Sequence, residues 1–210
     1  FHNIKDMPSR NVVKIDVGEN YYHVYARGAS RKEIFLDDED YSVFLNLFKR
    51  YLSIEPMTDR MGREYRSFRE SVELLAYCLM PNHFHILFYQ EEAKAISSLM
   101  RGLMTSYSVY FNRKYKRSGP LFESRYKSSL ITSDEYLMHI SRYIHLNPKQ
   151  WKTWQWSSLP EYLSKRDAEW VMPERILELF SSMEAYREFV ADYEDSQRTI
   201  EAIKHELANS

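Results

Sequence analysis

His83 and His85 flank Phe84 in the run Met80 to Phe88, and two imidazoles spaced by one residue stand on the same face of an extended strand. Their Cα atoms would lie roughly 7 Å apart, a span from which both rings can converge on one divalent ion. A lone pair of strand histidines satisfied by water fits the same spacing, so the motif needs partners. Tyr143 and Asn147 are four residues apart in a helical stretch, one turn above the other. Asn147 offers a carbonyl oxygen suited to a hard cation and Tyr143 a phenol oxygen suited to nucleophilic attack. Packing for Tyr143 and a C-terminal cap for Asn147 are the plainer roles. A third stretch carries Arg113, Lys114, Lys116, Arg117, Arg125 and Lys127 against one acid, Glu123, with Tyr115, Phe122 and Tyr126 interleaved. Cations attract phosphates and flat rings stack on unpaired bases, a combination that single-strand binders use. A solvated loop with three anchoring aromatics fits equally well.

The elements that must position these residues can be read from periodicity. Leu74 to Leu79 and Ile86 to Tyr89 are short apolar runs separated by a Pro81-Asn82 turn, which predicts a hairpin. Tyr22 to Arg27 alternates as a strand closed by Gly28, and the acids Asp37 to Asp40 start a helix whose face uses Tyr41, Phe44, Leu45, Phe48 and Leu52. Residues 55 to 70 lack a clean period and read as a loop or small insertion. Residues 93 to 115 form a second helix with Ile96, Leu99, Met100, Leu103, Met104, Tyr107 and Phe111 on one side, and Arg125 to Ile131 a fourth strand. The order β-α-β-β-α-β predicts an α+β, ferredoxin-like antiparallel sheet with both helices on one face and the other face open for function. A further helix, capped by Ser133 or Asp134 and stopped by Pro148, carries Tyr143 and Asn147 on the border of a core stripe of Leu137, Ile140 and Ile144. From about residue 151, Trp151, Trp154 and Trp156 lead into two acidic helical segments, near 173 to 182 and 184 to 208. The expected division is therefore 1–150 for the principal domain and 151–210 for a C-terminal helical extension.

Composition narrows the function classes. The chain's 210 residues carry a net charge of -1, yet residues 160 to 210 hold 12 acids against 6 bases, so the front part is the basic one. The single cysteine, Cys78, excludes an internal disulfide and falls inside an apolar strand, which predicts a buried thiol. No apolar run reaches the ~20 residues of a membrane span and no leader pattern is present, so a soluble, cytoplasmic protein without membrane partners is expected. There is no Gly-rich phosphate loop and no Ser-His-Asp or Cys-His signature. Residues 1 to 20 read as a polar arm.

Taken together these stretches resemble the REP-associated tyrosine transposases, single-tyrosine members of the HUH superfamily. The resemblance rests on Tyr22-His23-Val24 through Arg27-Gly28 with Ile34-Phe35-Leu36, on Ala76 through His85, on Gly119-Pro120-Leu121-Phe122 with Arg125-Tyr126-Lys127, and on Arg142 through Pro148, in the family's order. It implies that His83 and His85 are a metal-binding pair, Asn147 the third ligand and Tyr143 the nucleophile, with Mg²⁺ or Mn²⁺ as cofactor. It further implies cleavage and joining of single-stranded DNA at hairpin-containing repeats through a 5′-phosphotyrosine, by a monomer or homodimer in a bacterial, nucleoid-associated setting. Arg113, Lys114, Lys116, Arg117, Phe122, Arg125, Tyr126 and Lys127 are the expected DNA contacts, and His139, one turn before Tyr143, is a candidate helper. Tyr126 and Tyr136 are the nearest rivals to Tyr143 as nucleophile. The sequence departs from the family in the bulky Phe84 and in Lys149-Gln150-Trp151, where relatives often carry a small Ala-Gly pair. A hairpin-DNA or RNA binder without turnover and a water-using metal nuclease are the alternative functions.

Overall fold

Strands β1 (Asn20–Arg27), β2 (Val72–Met80), β3 (His83–Gln90) and β4 (Lys127–Ile131) make one sheet in the order β2-β3-β1-β4, with every neighbouring pair antiparallel. The computed structural model describes residues 16–192, so most of the expected N-terminal arm and the end of the last predicted helix lie outside the described residues. Helices α1 (Asp38–Leu52) and α2 (Ala95–Lys114) connect the strands, and the ferredoxin-like order expected from the sequence is the one observed. The Asp37 side chain caps α1 by accepting from the Asp40 amide, and three acids in the first turn oppose the helix dipole.

Alternation divides each strand between two cores. Val24 and Ala26 on β1 and Phe84, Ile86 and Phe88 on β3 pack with Phe44, Phe48, Leu99, Leu103 and Tyr107 of α1 and α2. Each of the valine, leucine, isoleucine and phenylalanine side chains contributes about 1.5–3 kcal/mol by leaving water. The opposite face was expected to stand open, and it does not. Leu75, Ala76, Cys78, Leu87 and Tyr89 are buried there beneath α3 (Asp134–Leu146) and the extension helices α4 (Leu159–Tyr162), α5 (Glu174–Leu177) and α6 (Met183–Ala191). The physical reason is that this face is also apolar. An irregularity between Leu74 and Ala76 in the β2–β3 register places Leu75 and Ala76 together on it, and α3 supplies the matching stripe of Leu137, Ile140 and Ile144.

The extension is also stitched to the edge of β2, which would otherwise present unpaired backbone. Leu79 donates its amide to the Trp156 carbonyl (2.9 Å), Ser158 to Tyr77 (2.9 Å) and Met172 to Leu74 (2.8 Å). The Trp154 indole donates to the Leu79 carbonyl at 3.0 Å, and Trp156 stacks on Tyr41 with ring centres 4.7 Å apart. The first of the two acidic helices expected here is shorter: Glu174–Leu177 stops after one turn, and a new helix starts at Met183 because the Ser182 hydroxyl caps it. Among the described residues no helix is long and apolar enough to cross a membrane.

His145 ties α3 to the extension. The ring is fully buried, Nδ1 lies 2.8 Å from the Tyr186 hydroxyl and Nε2 2.9 Å from the Ser158 hydroxyl. Burial pushes its pKa down to about 3, so it folds neutral. Below an unfolded value near 6.5 the unfolded chain binds a proton that the folded chain refuses, so this stability is complete above that pH and is lost as pH falls toward 3, at about 1.4 kcal/mol per unit. Urea unfolding at a series of pH values is expected to show His145→Gln with a flatter loss of stability between pH ~6.5 and ~4 than the parent chain, together with a loss of about 1–3 kcal/mol at neutral pH from the missing bonds. An equal slope in the two chains would remove His145 from the account of acid stability.

Candidate active site

The hairpin turn is held before any chemistry is considered. The Pro81 carbonyl accepts from the amides of Ile34 (2.7 Å) and Phe35 (3.0 Å), and the Asn82 carbonyl accepts from Gly28 at 2.9 Å. Gly28 is also required by the turn that follows it, since a Cβ there would meet the Lys32 carbonyl oxygen at 2.1 Å. The Asn82 side chain donates Nδ2 to the Arg31 carbonyl (3.2 Å), which turns Oδ1 toward His83 Nδ1 at 2.7 Å. An amide oxygen only accepts, so His83 carries its proton on Nδ1 and its Nε2 is a bare lone pair.

That lone pair faces Asn147 Oδ1 across 3.2 Å. Two acceptors aimed at each other at this distance call for something positive between them. His85 shares the face, its ring centre 5.1 Å from that of His83, and its Nε2 lies 3.4 Å from the Tyr143 hydroxyl. His83, His85, Asn147 and Tyr143, read from the sequence as one set, are therefore brought together by β3 and α3. Among the described residues no three His, Cys, Asp or Glu side chains cluster as a metal site, so a cation here would be held by two imidazoles and one amide oxygen. Such neutral N,O donors fit a borderline-to-hard divalent ion.

The electrostatics follow from burial. Desolvation lowers the pKa of His83 and lowers that of His85 further, with the charges of His23, His83 and Arg27 adding to the effect on His85. Both rings are thus neutral and able to ligate. Burial raises the Tyr143 phenol well above the ordinary tyrosine value, and a hydrogen bond with Asn147 and the charge of Arg27 work against that rise. Only 4% of Tyr143 is exposed.

The other expected residues are divided. Arg113, Lys116, Arg125 and Lys127 are exposed and Arg117 half-buried, as a phosphate-contacting set requires. Lys114 differs from them: its ammonium sits 2.8–2.9 Å from carboxylates of Asp37, Glu39 and Asp40 at the start of α1. Phe122 and Tyr126 are packed away from the surface. Phe122 is buried against Phe84 and Tyr107, and Tyr126 is buried with its hydroxyl 2.9 Å from Ser97. The rings serve the core because the chain between α2 and β4 folds back over it. His139 accepts from Arg142 at 3.0 Å and packs on Phe189, which ties it to the extension.

Three residues at the site escaped the sequence reading. Asn82 fixes the His83 ring, Arg27 lies opposite His83 in the sheet register and is exposed, and His23 is fully buried with Nε2 3.0 Å from His85 Nδ1. Strand parity held the signal: His23, Tyr25 and Arg27 alternate onto the same face as the histidine pair.

Residues 16–147 match a protein-family model described as Transposase IS200 like. The match runs from the entry to β1 through Asn147 and leaves the extension outside it. Among solved structures the chain is similar to a REP-associated tyrosine transposase determined bound to a REP hairpin, with 14% sequence identity, 78% of this chain and 97% of that chain covered, and a TM-score of 0.53. That likeness is one of fold. No curated protein matches the chain.

The position of Lys114 yields a direct test, because Asp40 is fully buried and also takes hydrogen bonds from Leu36, Tyr110 and Tyr115. Lys114→Met removes the cation and leaves that carboxylate uncompensated. A fall of several degrees in melting temperature with unchanged DNA affinity is expected, whereas Lys116→Ala should leave the melting temperature where it was. Loss of DNA affinity in Lys114→Met without loss of stability would return this residue to the nucleic-acid surface.

Proposed function

Because the chain belongs to the IS200-like transposase family, we propose that it cleaves and rejoins single-stranded DNA at hairpin-containing repeats, with Tyr143 as nucleophile and a divalent cation as cofactor. The observation that carries this reading is the convergence of the His83 Nε2–Asn147 Oδ1 pair (3.2 Å) and the His85 Nε2–Tyr143 hydroxyl pair (3.4 Å) at one end of the covered face. His83, His85 and Asn147 would hold Mg²⁺ or Mn²⁺, which when bound supplies Lewis acidity toward a phosphate oxygen.

The remaining steps belong to the chain's own groups. Arg27, exposed beside the pair, offers a guanidinium to a phosphate entering from the hairpin end of the sheet. The Tyr143 oxygen attacks phosphorus, the bond from phosphorus to the 3′-oxygen breaks, the phenol proton passes to solvent and the leaving 3′-oxygen takes one from solvent. The product is a tyrosine joined to a 5′-phosphate and a free 3′-hydroxyl. Attack by a 3′-hydroxyl on that linkage reverses the chemistry, so joining needs no nucleoside triphosphate. The chain acts as a monomer or homodimer on this reading, in the cytoplasm and at the nucleoid.

Burial of Tyr143 favours a second reading, a hairpin-DNA binder without turnover. Incubation of the full chain with a single-stranded hairpin oligonucleotide and Mn²⁺, followed by a denaturing gel, separates the two. The expected result is a covalent adduct from the parent chain, none from Tyr143→Phe despite normal binding, and none from the His83→Ala, His85→Ala double variant. An adduct that survives Tyr143→Phe would move the nucleophile elsewhere, and binding without any adduct from the parent chain would favour the second reading.

Affinity is a separate measurement. Removing the exposed cations of Arg125 and Lys127 should weaken hairpin binding and flatten the plot of log affinity against log salt by about 1.4, the value for two phosphate contacts on a single strand. A slope equal to the parent's would mean that these cations face solvent in the complex.

A further inference from the structure

His85 can ligate through Nε2 only if its proton is on Nδ1, and what faces Nδ1 therefore decides whether the ring is competent. For His83 the corresponding partner is Asn82. For His85 it is His23, whose Nε2 is 3.0 Å from His85 Nδ1 with the rings inclined by only 20°. The His23 ring is fully buried on β1, edge-on to Tyr143, and among the described residues Nδ1 has no hydrogen-bond partner. A single proton lies between the two rings. If it belongs to His23, then His85 carries its own proton on Nε2, aimed at the Tyr143 oxygen, and cannot bind a cation. If it belongs to His85, Nε2 is bare and His23 must hold its proton on Nδ1.

We propose that His23 is a positioning residue that accepts the Nδ1 proton of His85 and so turns the His85 Nε2 lone pair toward the cation. This rests on the metal-dependent reading above. A buried imidazole used only for packing could be replaced by a side chain of similar bulk, whereas the role assigned here needs an acceptor at the position of Nε2. Glutamine provides one and leucine does not.

The test measures the ligand and not turnover. In the protein loaded with Mg²⁺, long-range ¹H–¹⁵N correlation spectra of the histidine rings are expected to show His85 protonated on Nδ1 and His23 protonated on Nδ1. Mn²⁺ binding followed by electron paramagnetic resonance should weaken by about 10–100-fold in His23→Leu and recover most of that in His23→Gln. The spectra of the parent chain carry the test even if His23→Leu folds poorly. A His85 ring unprotonated on Nδ1 in the loaded parent chain, or a folded His23→Leu variant that binds Mn²⁺ as tightly as the parent, would overturn the proposal while leaving the metal reading intact. A parent chain that takes up no Mn²⁺ would overturn both.

Discussion

The alternation of β3 is the constraint on which the rest of the molecule depends. Phe84, Ile86 and Phe88 are completely buried against α1 and α2, so the strand cannot rotate or slip by one residue without expelling three large apolar side chains from that core. Fixing those three fixes the intervening positions. His83 and His85 are thereby delivered to the opposite face, next to α3, by interactions that involve neither imidazole. The two-residue Pro81-Asn82 turn pins the same register from its end, since its carbonyls are already committed to Gly28, Ile34 and Phe35.

A second constraint comes from the far end of the chain. The helix carrying Tyr143 and Asn147 lies on the sheet through Leu137, Ile140 and Ile144, and His145 secures it from behind through Ser158 and Tyr186. The extension is therefore part of what sets the distance between Tyr143 and His85. Covering that face also has an electrostatic consequence, because burial makes the phenol harder to ionise. The site meets solvent at the hairpin end, where His83 is half-buried and Arg27 exposed. On the proposed reading a phosphate would enter there.

Period-two alternation, a proline-asparagine turn and helical stripes made the sheet order legible in the sequence, and they placed His83, His85, Tyr143 and Asn147 on β3 and α3, while the roles proposed for those four came from the family resemblance. These signals are local, and the apolar contacts that enforce them are strong. What stayed hidden depends on neighbours distant in the chain. The cover over the second face required knowing that the irregularity of β2 puts Leu75 beside Ala76. Lys114, Phe122 and Tyr126 have the composition of a nucleic-acid surface, yet buried Asp40 claims the first and the core claims the rings. His23 and Asn82 matter only because of the imidazoles they face, and for His23 that partner is 62 residues away.

The character of the site has a consequence for how cofactor and substrate would bind. The charged side chain felt at His83, His85 and Tyr143 alike is Arg27, a cation. Two neutral imidazoles and an amide oxygen would leave the charge of a divalent ion uncompensated by its ligands, in a setting where burial weakens screening. Such an ion would be held loosely by the protein alone. A DNA phosphate would supply the missing negative charge, and by linkage whatever the phosphate added to ion binding the ion would add to phosphate binding. On the proposed reading, the neutral ligand set thus makes cofactor and strand bind cooperatively, which a carboxylate-rich site would not require.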